Sequence, residues 1–460
     1  MKGILGAIAG AFKWLVNDIK DIGSTFAHGD WKTRVSYVIM GFGSIMRKQF
    51  LRGFLFLALE IVYIYYMITS GMGYLSKFDT LGDVGRGFNP DGTVRYGDNS
   101  FLILLFGLLS ILFTIVFIAV WRMNLRENKK AQELLAKGKK LPTAKDDLKS
   151  LLDANFHKTL LTVPILGICV FTILPIIFMI CVAFTNYDSK HQAPANLFTW
   201  VGLENFKTML SFGEGIGSTF MTVLGWTLVW AFFATFLNYF LGMGLAMLIN
   251  KKGIKFKKLW RTIFVITIAV PQFVSLLYVS KLFAGDGLIN TYLLKWGWID
   301  QKLPFWTDPT WAKVTIIGVN LWIGIPYLML IATGLLMNIP EDLYESARID
   351  GANKFQMFRK ITLPYMLFVT GPYLLTSFTG NLNNFNVIFL LSQGNPTSMS
   401  LADKAGYTDL LITWLYKLTV NDSNYRLAAV IGILVFVVTA VISVVVYNML
   451  PSVKDEEGFQ

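Results

Sequence analysis

The chain contains a series of long apolar segments, each of roughly 20 residues or more. This is the length that a helix needs to cross a bilayer core about 30 Å thick. Because lipid offers the backbone no hydrogen bonds, and because the segments are continuous rather than alternating, we expect helices and not barrel strands. The fold class is therefore predicted to be all-α, a polytopic membrane protein with about eight transmembrane helices. The predicted spans are Gly53–Met72, Phe101–Val120, Thr159–Phe184, Phe220–Ile249, Thr262–Phe283, Val314–Met337, Tyr365–Leu391 and Leu427–Leu450.

Basic residues are concentrated in every second connection between these spans. They precede the first span, follow the second and the fourth, and recur in the connection from Arg348 to Lys360. By the positive-inside rule these connections and both termini are predicted to be cytoplasmic, in a multi-pass protein of the cell membrane. The net charge of +12 then follows from topology and contact with lipid, and no nucleic-acid partner is inferred.

The first 22 residues carry apolar side chains at helical spacing, opposite Lys13, Asn17, Asp18 and Lys20. This pattern predicts an amphipathic helix on the cytoplasmic leaflet rather than a cleaved leader. Its apolar face is formed by Ile4, Leu5, Ile8, Phe12, Leu15, Val16, Ile19 and Ile22. The predicted organisation is an N-terminal segment (1–48), a two-span part with a basic linker (49–158), a six-span core (159–450) that contains a coupling loop (338–365), and a cytoplasmic tail (451–460).

Motifs for metal, redox or nucleotide chemistry are absent from the sequence. Cys169 and Cys181 lie in one apolar run, about 18 Å apart if it is helical, and therefore cannot pair. His28, His157 and His191 are scattered, and there is no HExxH, CxxC or GxxxxGK[ST] motif. We therefore predict that this chain binds no cofactor and is not an enzyme.

A long patterned loop, Ile339 to Pro364, connects the sixth and seventh spans. Pro340 suits a first helical position, Gly351 permits a turn, and Pro364 is expected to stop a second helix, so two short helices are predicted. This loop resembles the EAA loop of ABC importer permeases, in which it seats the ATPase subunit. The matching residues are Glu345, Ala347, Asp350, Gly351, Ala352, Phe358, Ile361 and Pro364.

The resemblance extends from about Pro164 to Leu450 and is strongest to the larger permease subunits of maltose/maltodextrin importers. The loop Thr185–Gly217 departs from that pattern, because it has about 33 residues where well-known members carry a large folded insertion. The matching tracts are Val201–Phe206, Gly287–Asn290, Trp322–Tyr327, Asn383–Phe385 and Ala405–Leu411, of which the last is the most indicative of maltose.

The resemblance implies a bacterial complex built from several chains. This chain would form a heterodimer with a second permease subunit, and two ATPase subunits that use ATP and Mg would dock on the EAA loops. An extracellular sugar-binding protein would deliver maltose or maltodextrin, which this chain would translocate to the cytoplasm by alternating access.

A polar stripe in the seventh span is the predicted sugar site. Ser377, Asn381 and Asn384 recur at i, i+4 and i+7, and hydrogen bonding between helices is the alternative explanation. With Gly324 and Tyr327, they match positions at which the maltose permease holds its sugar. Tyr327 would offer an aromatic face, and Gly324 would allow close approach of the backbone.

Three positions depart from the family's site and change its predicted volume. Gly380 replaces an aromatic residue, and Ile268 and Gln272 replace a tyrosine and a serine in the fifth span. The pocket is therefore predicted to be roomier and to prefer maltodextrins longer than two glucose units.

Two other classes of function remain as alternatives, besides an ABC permease for a different oligosaccharide. An ion-coupled transporter would carry ionisable residues in several spans, but only Glu60 stands near mid-depth, and we expect it to be protonated or paired. An intramembrane enzyme would need converging catalytic groups, and none is visible. Prolines within spans are candidate hinges, namely Pro164, Pro175, Pro271, Pro326 and Pro372.

Overall fold

The computed structural model describes residues 2–211, 213, 215–251 and 253–450, so the predicted tail lies outside the described residues. The chain forms two compact units, Met1–Cys181 with Thr185–Trp200, and Val182–Phe184 with Val201–Gln460. Among the described residues, seven helices are long and apolar enough to cross a membrane, or eight if one bent pair is a single span. The predicted all-α class with about eight membrane helices is therefore confirmed.

The first unit is helical apart from one small hairpin. Its strands are antiparallel, with Gly87 opposite Arg95 and Phe88 opposite Val94. Its elements are α1 (Lys2–His28), α2 (Trp31–Val35), α3 (Phe42–Met46), α4 (Phe50–Leu75), β1 (Gly87–Phe88), β2 (Val94–Arg95), α5 (Ser100–Ala136), α6 (Ala144–Leu152) and α7 (Phe156–Val182).

A buried turn between α2 and α3 explains how Glu60 is accommodated in the first span. The Glu60 carboxylate is buried and accepts a hydrogen bond of 2.8 Å from the backbone N–H of Met40. The next residue, Gly41, has φ of +79° and donates its N–H to Asn124 of α5 at 3.0 Å. Glu60 therefore has a backbone hydrogen-bond donor within its own unit, which agrees with the expectation that its side chain is paired.

Helix α1 is joined to α5 by charged side chains. Asp18 pairs with Arg122 at 2.9 Å and with Arg126 at 2.7 Å, while Asp21 pairs with Lys129 at 2.6 Å. A hydrogen bond from Arg122 lowers the pKa of Asp18. Five side chains of the apolar face predicted for this helix, those of Ile4, Leu5, Ile8, Phe12 and Leu15, lie outside the described residues.

The second unit contains the remaining helices. They are α8 (Glu204–Met209), α9 (Ile216–Asn250), α10 (Lys257–Ala269), α11 (Gln272–Leu282), α12 (Leu288–Lys295), α13 (Pro309–Leu336), α14 (Glu341–Ile349), α15 (Lys354–Leu382), α16 (Phe385–Leu391), α17 (Leu411–Tyr416) and α18 (Tyr425–Met449).

The core of the second unit is apolar and joins α9, α11, α13 and α16. It includes Trp230, Leu276, Ile316 and Ile388, each fully buried. Farther along α9, a Cβ at Gly242 would lie 2.7 Å from the Leu328 side chain, so α9 and α13 pack closely through a residue without a side chain. The polar side chains described below are therefore carried on helices that pack tightly against one another.

The fifth span was predicted to be one continuous helix, and this prediction is wrong because the segment forms two helices. Helices α10 and α11 meet at an angle of 91°. Between them Val270 is extended, and Pro271 lacks the N–H that a continuing helix requires. Neither helix alone is long enough to cross a bilayer core about 30 Å thick.

Other prolines do not break their helices. Pro164, Pro326 and Pro372 lie inside helical segments, and Pro175 and Pro364 follow π-helical turns at Cys169–Ile173 and Phe358–Thr362. A widened turn relieves the clash between a proline ring and the carbonyl four residues earlier. The expectation that Pro364 stops a helix is therefore wrong, and α15 continues through it to Leu382.

The predicted seventh span also ends earlier than expected. Helix α15 ends at Leu382, and a separate helix, α16, begins at Phe385. Asn384 is the N-cap of α16 and accepts a bond from the backbone N–H of Val387 at 3.4 Å. A short polar side chain that caps a new helix competes with helix continuation, which explains the interruption.

Candidate functional site

The coupling loop is built by helix-capping interactions. Helix α14 begins at Glu341, so Pro340 precedes the helix as its N-cap rather than occupying the first helical position. At the other end Gly351 has φ of +81°, and the backbone N–H of Ala352 donates to the carbonyl of Ala347 at 2.9 Å. This is the Schellman arrangement, in which a left-handed residue ends the helix.

A second cap and one side-chain bond fix the direction of the chain after Gly351. Asn353 and Gln356 form a capping box at the start of α15, with bonds of 2.8 and 2.9 Å. The Tyr344 hydroxyl pairs with the buried Thr362 hydroxyl at 2.8 Å and so ties α14 to α15. Sequence reasoning missed this bond, because Tyr344 and Thr362 are 18 residues apart in the chain and meet only once the turn has folded.

The surface of this loop combines charge with uncovered apolar side chains. Glu345, Asp350 and Gly351 are exposed, whereas Ala347, Ala352, Phe358 and Ile361 are half-buried and Pro364 is exposed. Ile349 is 87% exposed and Phe355 is 68% exposed. Large apolar side chains that protrude from a rigid turn are typical of a surface that a partner covers.

The predicted sugar-site asparagines are brought together at the interruption between α15 and α16. The Asn384 amide donates to Asn381 Oδ1 at 3.2 Å, and the Asn381 amide donates to Thr235 Oγ1 of α9 at 3.0 Å. Asn381 and Asn384 therefore meet through a helix break and not through one continuous stripe. Thr235 is a partner that sequence reasoning missed, since it lies 146 residues away in the chain.

Ser377 lies one helical turn before Asn381 on α15 and is half-buried. Tyr327 of α13 is 50% exposed, so an aromatic face is available in this chain.

Gly324 lies against another polar side chain. A Cβ at Gly324 would lie 2.7 Å from Asn238 Nδ2 of α9, so the glycine makes room for this asparagine. Asn238 is buried, and its Oδ1 has no hydrogen-bond partner among the described residues. No side chain larger than hydrogen fits at position 324 unless Asn238 moves.

Three positions depart from the family pattern, and each has an exposed side chain or free space beside it. Ile268 is 42% exposed near the end of α10, and Gln272 is exposed at the start of α11, on either side of the bend. A Cβ at Gly380 would meet no atom within 4 Å.

An apolar groove of about 800 Å³ lies on α9, α15 and α18 of the second unit. Phe232, Phe236, Phe368 and Phe378 contribute to its lining, in which every side chain is apolar. Such a lining offers no hydrogen bonds to sugar hydroxyls, so the groove is not a sugar site.

Asp409, in the loop between α16 and α17, forms a buried ion pair with Lys417 just after α17, and sequence reasoning did not predict this pair. Asp409 is fully buried and accepts bonds from Lys417 at 2.6 Å, Thr413 at 2.9 Å and the backbone N–H of Gly406 at 2.7 Å. Burial raises the pKa of Asp409, and Lys417 opposes that rise. Asp409 and Gly406 belong to the tract Ala405–Leu411, which this pair holds in place.

Within the part of the chain that the structure describes, no group of three or more His, Cys, Asp or Glu residues is arranged to hold a metal ion. The described residues combine membrane helices, a loop with capped helix ends at 338–365 and a polar cluster at a helix break.

Comparison with known proteins defines the family. Residues 238–454 match the family "Binding-protein-dependent transport system inner membrane component". The maltodextrin transport system permease protein MalC of Streptococcus pneumoniae is 35% identical over 436 residues, which cover 93% of this chain and 97% of that protein. The chain belongs to the binding-protein-dependent permeases of ABC sugar importers, as its EAA loop predicts, and is a multi-pass inner-membrane protein.

A second relative agrees with this assignment, and a solved structure shares the fold. The galactooligosaccharides transport system permease protein GanP of Bacillus subtilis is 36% identical over 422 residues, which cover 91% of this chain and 97% of that protein. A bacterial alginate ABC transporter, solved with an alginate pentasaccharide-bound periplasmic protein, shares the fold with a TM-score of 0.54 and 23% identity, over 67% of this chain and 98% of that chain.

Proposed function

We propose that this chain is the larger permease subunit of an ATP-driven importer of maltose and maltodextrins. A second permease subunit completes the pathway, two ATPase subunits dock on the EAA loops, and an extracellular sugar-binding protein delivers the substrate. ATP and Mg act in the ATPase subunits, and this chain binds no cofactor. The full-length similarity to a maltodextrin permease supports this proposal.

The observation that carries the proposal is the polar helix break at Asn383. Transporters commonly form their substrate sites where a membrane helix is discontinuous, because the break frees polar groups inside the membrane. Here the break places Asn381 and Asn384 in contact, and their amides can both donate to and accept from sugar hydroxyls. Ser377, Gly324 and Tyr327 complete the proposed site, with the Tyr327 ring stacking against a pyranose.

The proposed cargo is a maltodextrin longer than two glucose units. The open space at Gly380 supports a pocket that accepts additional sugar. Galacto-oligosaccharides are the second candidate, because the permease for them is as similar to this chain as the maltodextrin permease. Competition by each unlabelled sugar against uptake of labelled maltotriose separates the two, and preferential inhibition by galacto-oligosaccharide would reject maltodextrin as the cargo.

Uptake by the assembled complex in membrane vesicles tests the class of transporter. We expect maltotriose uptake to require ATP and the external binding protein, and to be insensitive to a protonophore. Uptake that a protonophore abolishes while ATP remains would favour an ion-coupled transporter instead. Co-purification of the complex should also yield the ATPase and the second permease.

The proposed orientation places both termini in the cytoplasm. In a Cys169→Ser/Cys181→Ser background, single cysteines at Asp91 or Lys404 should react with an impermeant thiol reagent in intact cells. Cysteines at Lys139 or Lys255 should react only after the membrane is opened. All four native side chains are exposed, so burial does not explain a difference. Labelling of Lys255→Cys from outside would overturn the orientation.

A further inference from the structure

We infer that Thr235 is a positioning residue of the sugar site, which fixes the orientation of the Asn381 amide and so determines how tightly the site holds a sugar. This inference rests on the proposed function, because it assigns a further residue to the same site.

The bonding of Thr235 differs from that of other threonines in α9. Thr219, Thr222 and Thr227 each donate their hydroxyl to the carbonyl four residues earlier, at 3.0, 3.0 and 2.7 Å. This is the usual way in which a threonine satisfies its hydroxyl inside a membrane helix. Thr235 makes no such bond among the described residues, although it is only 2% exposed, and its oxygen instead accepts the Asn381 amide.

The local backbone of α9 accounts for this difference. Thr235 is the middle residue of the π-helical turn Phe233–Leu237. A π-helical turn rearranges the regular ladder of backbone bonds and is frequent at functional sites. Two further buried polar atoms of α9, Trp230 Nε1 and Asn238 Oδ1, have no partner among the described residues. Polar atoms that only secure helix packing are normally satisfied, so this stretch of α9 is shaped by more than packing.

The consequence for Asn381 follows from its hydrogen-bonding capacity. Its amide has two N–H donors and an oxygen that can accept two bonds. Thr235 accepts a hydrogen bond from one N–H of this amide, and Asn384 donates to its oxygen. The two bonds fix both the plane of the amide and the sides on which its nitrogen and oxygen lie. One donor and one acceptor site remain, and a sugar hydroxyl can use both because it donates and accepts.

Replacing Thr235 by valine removes the acceptor and conserves the shape of the side chain. The Asn381 amide then has no partner on α9 and can rotate about its terminal bond. Loss of one neutral hydrogen bond is expected to lower occupancy of the site roughly five- to tenfold. The predicted result is a fall of this size in maltotriose transported per ATP hydrolysed, at saturating binding protein, in proteoliposomes that contain the assembled complex.

Two further variants keep the experiment interpretable. Thr235→Ser retains the hydroxyl and should restore most of the transport per ATP. Thr222→Val removes a hydroxyl on the same helix. Among the described residues that hydroxyl bonds only to the Ser218 carbonyl, so this variant should transport as the wild type does. Assembly of each variant is checked by recovery of the complete complex after purification.

The outcomes separate failure of this inference from failure of the proposed site. If Thr235→Val transports a normal amount of maltotriose per ATP while Asn381→Ala loses uptake, the positioning role is rejected and the proposed site is kept. Equal defects in Thr235→Ser and Thr235→Val would also reject the role, because packing and not the hydroxyl would then matter. Normal uptake in both Thr235→Val and Asn381→Ala would reject the site itself.

Discussion

Replacement of Gly351 by valine is expected to reduce sugar uptake more than tenfold while the protein still inserts and assembles. Gly351 ends α14 with φ of +81°, a conformation that a β-branched residue adopts only at a cost of about 1–3 kcal/mol. A Cβ there would meet no atom within 4 Å, so the defect arises from the backbone and not from a clash. The turn would open, and the bond from Ala352 to Ala347 that completes it would be lost.

The expected loss is one of coupling, because we propose that the loop transmits closure of the ATPases to the membrane helices. A rigid turn can pass on such movement, whereas a loosened turn absorbs it. Uptake and ATP hydrolysis are measured together in the reconstituted complex. Gly351→Asn is the matched control, since asparagine tolerates a left-handed conformation, and it should retain most of the transport. Full uptake by Gly351→Val would rule out a force-transmitting role for this turn.

The second large effect is expected at the proposed sugar site. Asn381→Ala removes both the donor to Thr235 and the acceptor for Asn384, so the cluster loses both of its bonds between side chains at once. We expect uptake to fall at least tenfold, with ATP hydrolysis by the proposed partner subunits retained, because we propose that the ATPase sites lie in those other chains. Tyr327→Ala should have a similar effect through loss of the aromatic face.

Matched variants distinguish recognition of sugar from damage to the helix. Tyr327→Phe keeps the ring and removes only the hydroxyl, so the difference between Phe and Ala measures stacking. Thr376→Val alters an exposed threonine of α15 whose hydroxyl bonds to the Pro372 carbonyl, and uptake should be unchanged. If Asn381→Ala and Tyr327→Ala both transport normally, the asparagines serve helix packing alone.

The coupling loop illustrates how much of a site local sequence can predict. Helix α14 and the turn at Gly351 follow from residues within one or two helical turns of each other, where capping and backbone preference decide the conformation. The error at Pro364 has a physical origin, because a proline stops a helix only if the preceding turn cannot widen. Here the π-helical turn Phe358–Thr362 widens it, and the helix continues.

The residues of the proposed sugar site remain a prediction, but their predicted arrangement on one continuous helix is wrong. Ser377, Asn381 and Asn384 were placed on one helical face, whereas the chain breaks after Leu382 and Asn384 caps a new helix. The prediction assumed a continuous helix because the segment is apolar enough to be one. Whether the helix continues past Leu382 depends on neighbouring helices, which must supply hydrogen-bond partners for the polar groups that a break exposes. The spacing of residues along the chain does not show whether such partners are present.

The apolar runs and the capping residues are enough to predict a helical membrane protein with about eight spans and a turn at Gly351, because burial of a backbone in lipid and the capping of helix ends depend on residues close together in the chain. Which polar groups meet depends on how the chain packs. Thr235 contacts Asn381 across 146 residues, Lys417 pairs with the buried Asp409, and Pro271, alone among the candidate prolines, divides its span. The bond between Thr235 and Asn381 depends on whether a partner from another helix can satisfy a buried polar group, and that partner is chosen by the packing of helices rather than by local sequence.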